Sequence, residues 1–484
     1  MLIRQTLLYL PAQLIGPLFQ FVAAIVWTHW LAPDAYGVLT FIIAAQELAF
    51  VLCMSWWTHY TLRYVGSFGN DSDRRRFQDT DNAIMLASMA VQALIGVMVL
   101  KALGQPMAPL LVAGTVAFMI TRTMTSHLME RARARGGIAI YTGGQMIGPV
   151  LGFGMAYAAV ACVAATPEAA IAGFALAQVV GLAWLWRALG LGVSLALPQR
   201  ALLAAALTYG LPLIGAGVIG WISMNGIRVI VEHMRGVDAV GLISVGWGLG
   251  QRLASVVAML VTAAAYPLAV KHLQAGRRDE ALAQLSSNGA LLLALLAPSV
   301  MGIFMLAPEA ASLMIAAPFR EVTLAVLPLA LVAGMVRNLR VHFADQVFLL
   351  MAQTHLMVII NLVEAGAVVV LCALGLHFGG FAWATAGCLA GSTLGTIFGF
   401  ALGRIKFGLP LPLAHAARIL LATAVMGVAL ALPHWTQLAP LELTRLLLKI
   451  GVGAVTYGMA LALLYPGFVA QGASRLRGLR LAAH

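Results

Sequence analysis

Asp34-Ala35-Tyr36-Gly37 returns as Asp238-Ala239-Val240-Gly241, 204 residues further along an almost wholly apolar chain. Each tetrapeptide follows a long apolar run that opens with a Tyr and a Pro: Tyr9 and Pro11 first, then Tyr209 and Pro212. Beyond the next apolar run lies a polar loop, Asp71 to Asn82 with Arg74-Arg75-Arg76, then Gly276 to Asn288 with Arg277-Arg278. Three features in the same order mark an internal repeat. A membrane chain of two like halves has a transporter's architecture, because two bundles around one site can rock between two openings.

Composition excludes a water-soluble globule. The 484 residues are 62% hydrophobic and 10% charged, with a mean hydropathy of +0.94, against roughly 45–50% apolar residues in soluble domains. Apolar runs long enough to cross the hydrocarbon layer recur from Leu7–Trp30 to Leu443–Tyr465, about 14 transmembrane helices by the length rule. The expected fold is therefore an all-α, polytopic membrane protein. The first run exceeds a signal peptide's apolar core and lacks a small-x-small cleavage site, so it stays as the first span. Cys53, Cys162, Cys372 and Cys388 lie in apolar runs without metal-ligand spacing, which predicts buried small side chains.

The net charge of +12 is unevenly placed. Counting spans from a cytoplasmic start puts most basic residues on one side: Arg4, Arg63, Arg74 to Arg76, Arg131, Arg133, Arg135, Arg187, Arg200, Lys271, Arg277, Arg278, Arg404, Lys406, Arg475, Arg477 and Arg480. The other side offers little beyond Lys101, Arg235 and Arg320. This is the positive-inside pattern of a multi-pass membrane protein with both termini cytoplasmic and an even number of spans. The basic loops then face anionic membrane lipids. No basic face carries aromatics that would stack bases, so nucleic acid is not an expected partner.

Spans one to six and seven to twelve form two six-helix bundles, with two further helices appended. The expected divisions are residues 1–188, a cytoplasmic linker at 189–200, a second bundle at 201–403, and the appended helices with a basic cytoplasmic tail at 404–484. Both halves begin on the same side, so the repeat is parallel. Pro11, Gly16 and Pro17 in span one, and Pro212 and Gly215 in span seven, are candidate hinge positions. Close helix packing is the competing use of such glycines.

Charges inside the spans are more telling. An ionised side chain at mid-membrane costs about 2.5–3.5 kcal/mol on insertion scales, so it faces a partner or a wet cavity. Arg252, Arg337 and Arg340 fall near mid-depth, Arg122 in the inner half of span four, and Arg63 at the end of span two. The acids are Glu47, Asp345 and Glu364. An excess of deep guanidinium groups favours an anionic guest, since the planar fork grips phosphate with two hydrogen bonds. Arg337 and Arg340, three residues apart, share a helix face. Pairing with Glu47, Asp345 or Glu364, or snorkelling, is the alternative use of these arginines. The acids could instead couple a proton or sodium gradient. His127, His342 and His355 lack metal-ligand spacing and read as helix-end or packing residues. No phosphate loop or nucleophile–base constellation occurs, so no catalytic residue, metal or cofactor is expected.

Leu31-Ala32-Pro33-Asp34-Ala35-Tyr36-Gly37, Leu62-Arg63-Tyr64, Pro318-Phe319-Arg320 to Pro328, Leu339-Arg340-Val341-His342-Phe343-Ala344-Asp345-Gln346 and Gly380-Phe381-Ala382-Trp383-Ala384-Thr385 follow one another along the chain. In that order they resemble the polysaccharide-transporter branch, the Wzx-like flippases, of the multidrug/oligosaccharidyl-lipid/polysaccharide (MOP) exporter superfamily. The resemblance implies two six-helix bundles around a cationic cavity. Its implied cargo is an undecaprenyl-pyrophosphate-linked oligosaccharide for exopolysaccharide or O-antigen biosynthesis, delivered to a polysaccharide polymerase and other assembly proteins. Carried over, Arg252, Arg337 and Arg340 would line the cavity, with Arg63 and Arg122 at its cytoplasmic rim. Related murein-precursor flippases place basic residues inside span one; this chain has no arginine within that apolar stretch, which favours the exopolysaccharide or O-antigen cargo. A drug/cation antiporter of the same fold would need acids in the cavity. A membrane glycosyl-polymerase or ligase would need a long outer loop carrying catalytic residues.

Overall fold

Backbone polar groups find no water in hydrocarbon, so a chain this apolar must satisfy them within its own helices. The computed structural model describes residues 2–67, 71–192, 196–432, 435–438 and 441–466, and among them no strand occurs. The tail arginines Arg475, Arg477 and Arg480 lie outside the described residues, as do the side chains of Arg4 and Pro11.

In chain order the helices are α1 (Leu2–Trp30), α2 (Pro33–Tyr64), α3 (Asp71–Ala102), α4 (Pro109–Ala134) and α5 (Ile138–Cys162). Next come α6 (Pro167–Ala188), α7 (Arg200–Arg235), α8 (Val237–Gln274), α9 (Arg278–Met314) and α10 (Ala317–Leu350). The helical stretch His355–Phe407 runs for 53 residues, about 80 Å at 1.5 Å per residue and far longer than a bilayer is thick. Gly380, at φ 78° and ψ −157°, folds it into α11 (355–379) and α12 (381–407). A side chain is disfavoured at that φ; glycine is not. The chain ends in α13 (Leu413–Ala431) and α14 (Glu442–Leu464).

Eleven of the described helical stretches are long and apolar enough to cross a membrane. The remaining rods are α1, with a shorter apolar run at Ile15–Trp30, and α4, which carries Arg122, Glu130, Arg131 and Arg133. With the break at Gly380 they make the fourteen helices expected from the apolar runs. Lipid-facing apolar side chains confirm the setting: Phe378 is 81% exposed, Ile405 83% and Leu463 80%, which a water-soluble surface would not tolerate in such number.

Two expectations are corrected. Asp71 to Asn82 and Gly276 to Asn288 are not loops. The first is the opening of α3, where Phe77, Thr80 and Asp81 turn inward and are buried. Most of the second is the opening of α9, whose first turn carries Asp279 and Glu280, favourable near a helix N-terminus. Polarity marked these stretches as leaving the membrane, but helical periodicity continues through them. Cys162 is exposed at the end of α5, and Cys53 is half-buried; only Cys372 and Cys388 are buried.

The chain forms two compact units. Unit 1 is Met1–Val245 with Val368–Ala384, and unit 2 is Gly246–Ala367 with Thr385–His484. Within unit 1, Trp57 stacks between Tyr60 and Phe77, with ring centroids at 5.6 and 5.4 Å. Gly210 of α7 admits Trp56, and Gly173 of α6 lies on the backbone of Ala156 in α5. A polar ladder ties three helices: Gln46 donates to Thr123, Thr123 to Gln92, and Gln92 to Ser88. Such interhelical hydrogen bonds act as glue where lipid supplies no hydrophobic drive.

Within unit 2, Gly246, Gly250 and Gly334 let α8 and α10 approach closely. The two C-terminal helices are docked on α9. Lys449 of α14 forms a buried ion pair with Glu309 at 2.5 Å, and the Tyr457 hydroxyl donates to the Ala294 carbonyl at 2.7 Å.

Three helices carry a π turn: Val51–Ser55 in α2, Ile147–Gly152 in α5 and Arg340–Ala344 in α10. Pro149 explains the second, because it has no N–H to donate. In α2 the Ser55 hydroxyl donates to the Val51 carbonyl, and in α10 the Gln346 amide donates to the Val341 carbonyl. By contrast α1 runs through Gly16 and Pro17, and α7 through Pro212 and Gly215, as unbroken helix.

Candidate functional site

The π turn of α10 begins at Arg340, and what that side chain meets defines the charged centre of unit 2. Its Nη2 donates to Glu364 Oε2 at 2.7 Å and to Asn361 Oδ1 at 2.8 Å, both on α11. Its Nε lies 3.9 Å from Asp345 Oδ2. Arg337, one turn earlier, places Nε 3.6 Å from Glu364 Oε1. Two arginines and two carboxylates thus form one cluster, formally neutral.

Helix α12 is built to fit around it. Gly391, Gly395, Gly399 and Gly403 recur every four residues, the small-residue spacing that lets membrane helices approach. A Cβ on Gly395 would come within 2.7 Å of the Glu364 Cβ, and one on Gly399 within 3.3 Å of the Arg340 stem. Thr396, between them, donates to the Val336 carbonyl at 3.2 Å.

Burial separates the two arginines. Arg340, Asp345 and Glu364 are 2% exposed or less, whereas the Arg337 side chain is 18% exposed. Five buried atoms of the cluster have no hydrogen-bond partner among the described residues: Arg337 Nε, Arg340 Nε and Nη1, Asp345 Oδ1 and Glu364 Oε1. Buried polar groups almost always find partners, so this cluster holds unused capacity for water, an ion or a charged guest. Arg252 lies in the same unit, half-buried on α8 beside Gln251, whose amide donates to the Ala330 carbonyl.

The other named residues belong to unit 1. Glu47 is exposed midway along α2 and accepts from Asn225 of α7 at 3.3 Å. Asn225 in turn accepts from Arg228, whose Nε donates to Ser244. Arg122 is half-buried, and its guanidinium lies over Gly148, where a side chain would collide with Nη1. Arg63 is exposed at the end of α2, 5.4 Å from the Tyr64 ring and 5.3 Å from the Tyr209 ring, in cation–π range. Among the hinge positions, a Cβ on Gly16 would lie 3.8 Å from the Pro149 ring.

Sequence reading passed over a second buried network. Asp81 of α3 accepts from Trp57 Nε1 at 2.6 Å, pairs with His127 Nε2 at 2.8 Å and bonds Arg131 Nη1. Thr58 and His127 Nδ1 are 2.9 Å apart, and Arg131 reaches Gln78. Asp81, His127 and Arg131 are all fully buried. Arg131, expected in a basic loop, lies inside the bundle because α4 continues past it. The available signal was the spacing of His127 and Arg131, four residues apart and so on one helix face. No group of His, Cys, Asp and Glu among the described residues is arranged to hold a metal.

Unit 2 also bears an open apolar groove of ≈ 410 Å³ between α9, α13 and α14, lined by Ala290, Leu291, Ala294, Ile419, Leu461 and Tyr465 with Gly458 and Ala462.

No family model matches the chain, and no curated protein matches it. Among solved structures it is similar to the lipid II flippase MurJ in an inward closed conformation. That match has a TM-score of 0.73 at 11% identity and covers 96% of this chain and 100% of that one. An inward-facing multidrug resistance MATE family transporter of the MOP superfamily gives 0.54 at 16% identity, covering 83% of this chain and 98% of its own. A MOP superfamily transporter from Pyrococcus furiosus, described as having a binding pocket of reverse polarity, gives 0.52 at 16% identity, covering 84% and 95%. The chain therefore has the fold shared by these membrane transporters.

Proposed function

We propose that this chain is a flippase that moves an undecaprenyl-pyrophosphate-linked oligosaccharide across the bacterial inner membrane by alternating access, for exopolysaccharide or O-antigen biosynthesis. It is a transporter and not an enzyme, and both termini lie in the cytoplasm. The observation that carries the reading is that unit 2 combines a charged cluster with spare hydrogen bonds and an apolar groove on α9, α13 and α14. A cargo with an anionic head and a long apolar tail calls for both. The MurJ likeness, from a protein named for a lipid-linked substrate, supports the lipid-linked class. The Wzx-like branch rests on the sequence motifs.

In this reading Arg337 and Arg252 meet the pyrophosphate, and Arg340 holds Glu364 and so fixes α10 against α11. The Arg337 side chain is 18% exposed where the other members are buried, which makes it the member proposed to meet a guest, and its fork suits phosphate oxygens. Pro11, Gly16, Pro17, Pro212 and Gly215 are the positions where α1 and α7 would bend. The test is flipping of a fluorescent polyprenyl-pyrophosphate sugar in vesicles holding the purified protein. No movement above empty vesicles, with the protein folded, would sink the proposal.

A drug/cation antiporter is favoured by one observation, the carboxylate oxygens Asp345 Oδ1 and Glu364 Oε1 that accept no hydrogen bond among the described residues and could serve a cation as ligands. The same vesicles distinguish it: efflux of a cationic dye driven by a proton or sodium gradient, without sugar-lipid movement, would establish that reading.

A further inference from the structure

The second buried network of unit 1 is built around one imidazole. His127 lies on α4, about 10 Å inside its C-terminal end by the rise per residue. Asp81 Oδ1 of α3 stands 2.8 Å from Nε2, and Thr58 Oγ1 of α2 stands 2.9 Å from Nδ1. Both ring nitrogens are bridged, so the ring cannot turn without breaking both contacts. It belongs to unit 1, whereas Arg337 and Arg252, assigned to the cargo, belong to unit 2.

Counting hydrogens decides what the ring carries. Asp81 accepts from Trp57 Nε1 at 2.6 Å and from Arg131, so it is an ionised carboxylate, and the Nε2 facing it holds a hydrogen. Nδ1 is left to Thr58. The Thr58 hydroxyl also lies 3.0 Å from the Met54 carbonyl, and it has one hydrogen to give. Aimed at Met54, it leaves the Thr58 oxygen as an acceptor, and Nδ1 must bear a proton; the ring is then an imidazolium. Aimed at Nδ1, it serves a neutral ring. The two states differ by one proton and one hydroxyl rotation, and in neither is a ring nitrogen left unpaired.

The surrounding charges leave both states accessible. Asp81 and Arg131 form an ion pair, so a protonated ring adds one charge to a neutral couple. On α4 itself, Glu130 lies within electrostatic reach of the ring and is paired with Arg133 at 2.8 Å, and Arg135 is exposed beyond them. Helix α2 adds the buried Tyr60 and the exposed His59. The N-terminal turns of α3 carry Asp73 and Asp79 on either side of Arg74, Arg75 and Arg76. Tyr141 of α5 lies under Arg133, and Arg187 is exposed at the end of α6. Acids and bases are thus both present, and Asp81 alone of them bonds the ring.

The site is sealed: His127, Asp81 and Arg131 are 0% exposed. A cavity of ≈ 400 Å³ lined by Val65, Gly66, Arg74, Phe77 and Arg135 lies at the nearby helix ends. The Phe77 ring, held between Trp57 and the Arg131 guanidinium, closes it off from the network. A proton therefore enters or leaves His127 only when the helices around it part. A site that exchanges its ligand in one conformation alone ties its occupancy to that conformation. We propose that His127 is a reversible proton-binding site of unit 1. Nδ1 takes a proton from water and returns it there, Asp81 holds the Nε2 hydrogen, and Thr58 turns its hydroxyl to match. The site stands whether or not the cargo is a sugar lipid.

The test is a titration of the full chain, carrying isotope-labelled histidine in lipid vesicles, by solid-state nitrogen NMR. It runs from about pH 5 to about pH 9, a range that brackets the free imidazole. Among the eleven histidines, the signal absent from His127→Gln is the one followed. Nδ1 should be protonated at the acid end and bare at the alkaline end, while Nε2 keeps its hydrogen throughout. Thr58→Val removes the acceptor that favours the charged ring, so the midpoint should move to lower pH. Proton affinity should fall about tenfold, the difference between a hydrogen bond to a charged and to a neutral group. Thr58→Ser should restore it. A ring that keeps one protonation state across the range overturns the proposal, as does a midpoint unchanged in Thr58→Val. Should His127→Gln fail to fold, the signal that moves in Thr58→Val and returns in Thr58→Ser makes the assignment, and the lack of any such signal overturns the site.

Discussion

Gly37 and Gly241 pack against each other, backbone to backbone, through a reciprocal contact. A Cβ on Gly37 would lie 1.9 Å from the Val237 carbonyl oxygen, and one on Gly241 would lie 1.8 Å from the Pro33 carbonyl oxygen. The pairing continues one turn on, where Thr40 donates to Ser244 at 3.4 Å across the same 204-residue separation. Equivalent positions of the repeat thus meet about a local two-fold axis between the starts of α2 and α8.

Gly37→Ala and Gly241→Ala should each be poorly tolerated, because the obstacle is backbone that cannot rotate away. Overpacking of this kind costs typically about 1–3 kcal/mol. Thermal unfolding of the detergent-purified variants should show the loss, while Gly215→Ala, facing open space, should leave the midpoint nearly unchanged. Equal midpoints for all three would contradict the contact.

Arg340→Ala should destabilise by about 3–5 kcal/mol, since it strands Glu364 without its buried partner. Replacing both with apolar residues, Arg340→Met with Glu364→Leu, should recover much of the folded yield. If the double variant is worse than Arg340→Ala alone, the pair is not the unit described.

Arg337→Gln should separate transport from folding. The side chain is partly exposed and its contact with Glu364 is long, so folded yield should stay near normal while flipping falls at least about tenfold, as for one lost charge-assisted grip. Unimpaired flipping would remove Arg337 from the cargo site.

Lys449→Met leaves Glu309 buried with only Arg445, 3.9 Å away. A loss of about 3 kcal/mol is expected from breaking a buried pair, with proteolysis first releasing α14. Glu309→Gln together with Lys449→Met should be milder. Cleavage at an unchanged rate in the single variant would show that the pair does not hold the helix.

The helices were legible because hydrocarbon demands apolar runs of a set length, and all of them but α1 and α4 meet it. Ends were less legible where polar residues stay helical, as in α3 from Asp71 and α9 from Arg278. The doubling of Gly37 by Gly241 was plain in the sequence, yet nothing local says that two such residues touch. Arg337 and Arg340 could be placed on one face by spacing alone; that Glu364 and Asn361 meet Arg340 depends on how α11 packs. The Asp81 network escaped notice because a buried aspartate and a solvated one look alike until Trp57, His127 and Arg131 close around it.

Gly380 joins α11 to α12 with no connecting loop at all. Just before it, Gly375 and Gly379 make room for the Trp383 backbone and ring. A junction of one glycine leaves no slack to absorb an added residue. One insertion would turn α12 by about 100° about its axis, carrying Gly395 and Gly399 off the ion cluster and driving bulkier side chains into it. The junction is a phase setting, and natural variation in chain length should avoid it.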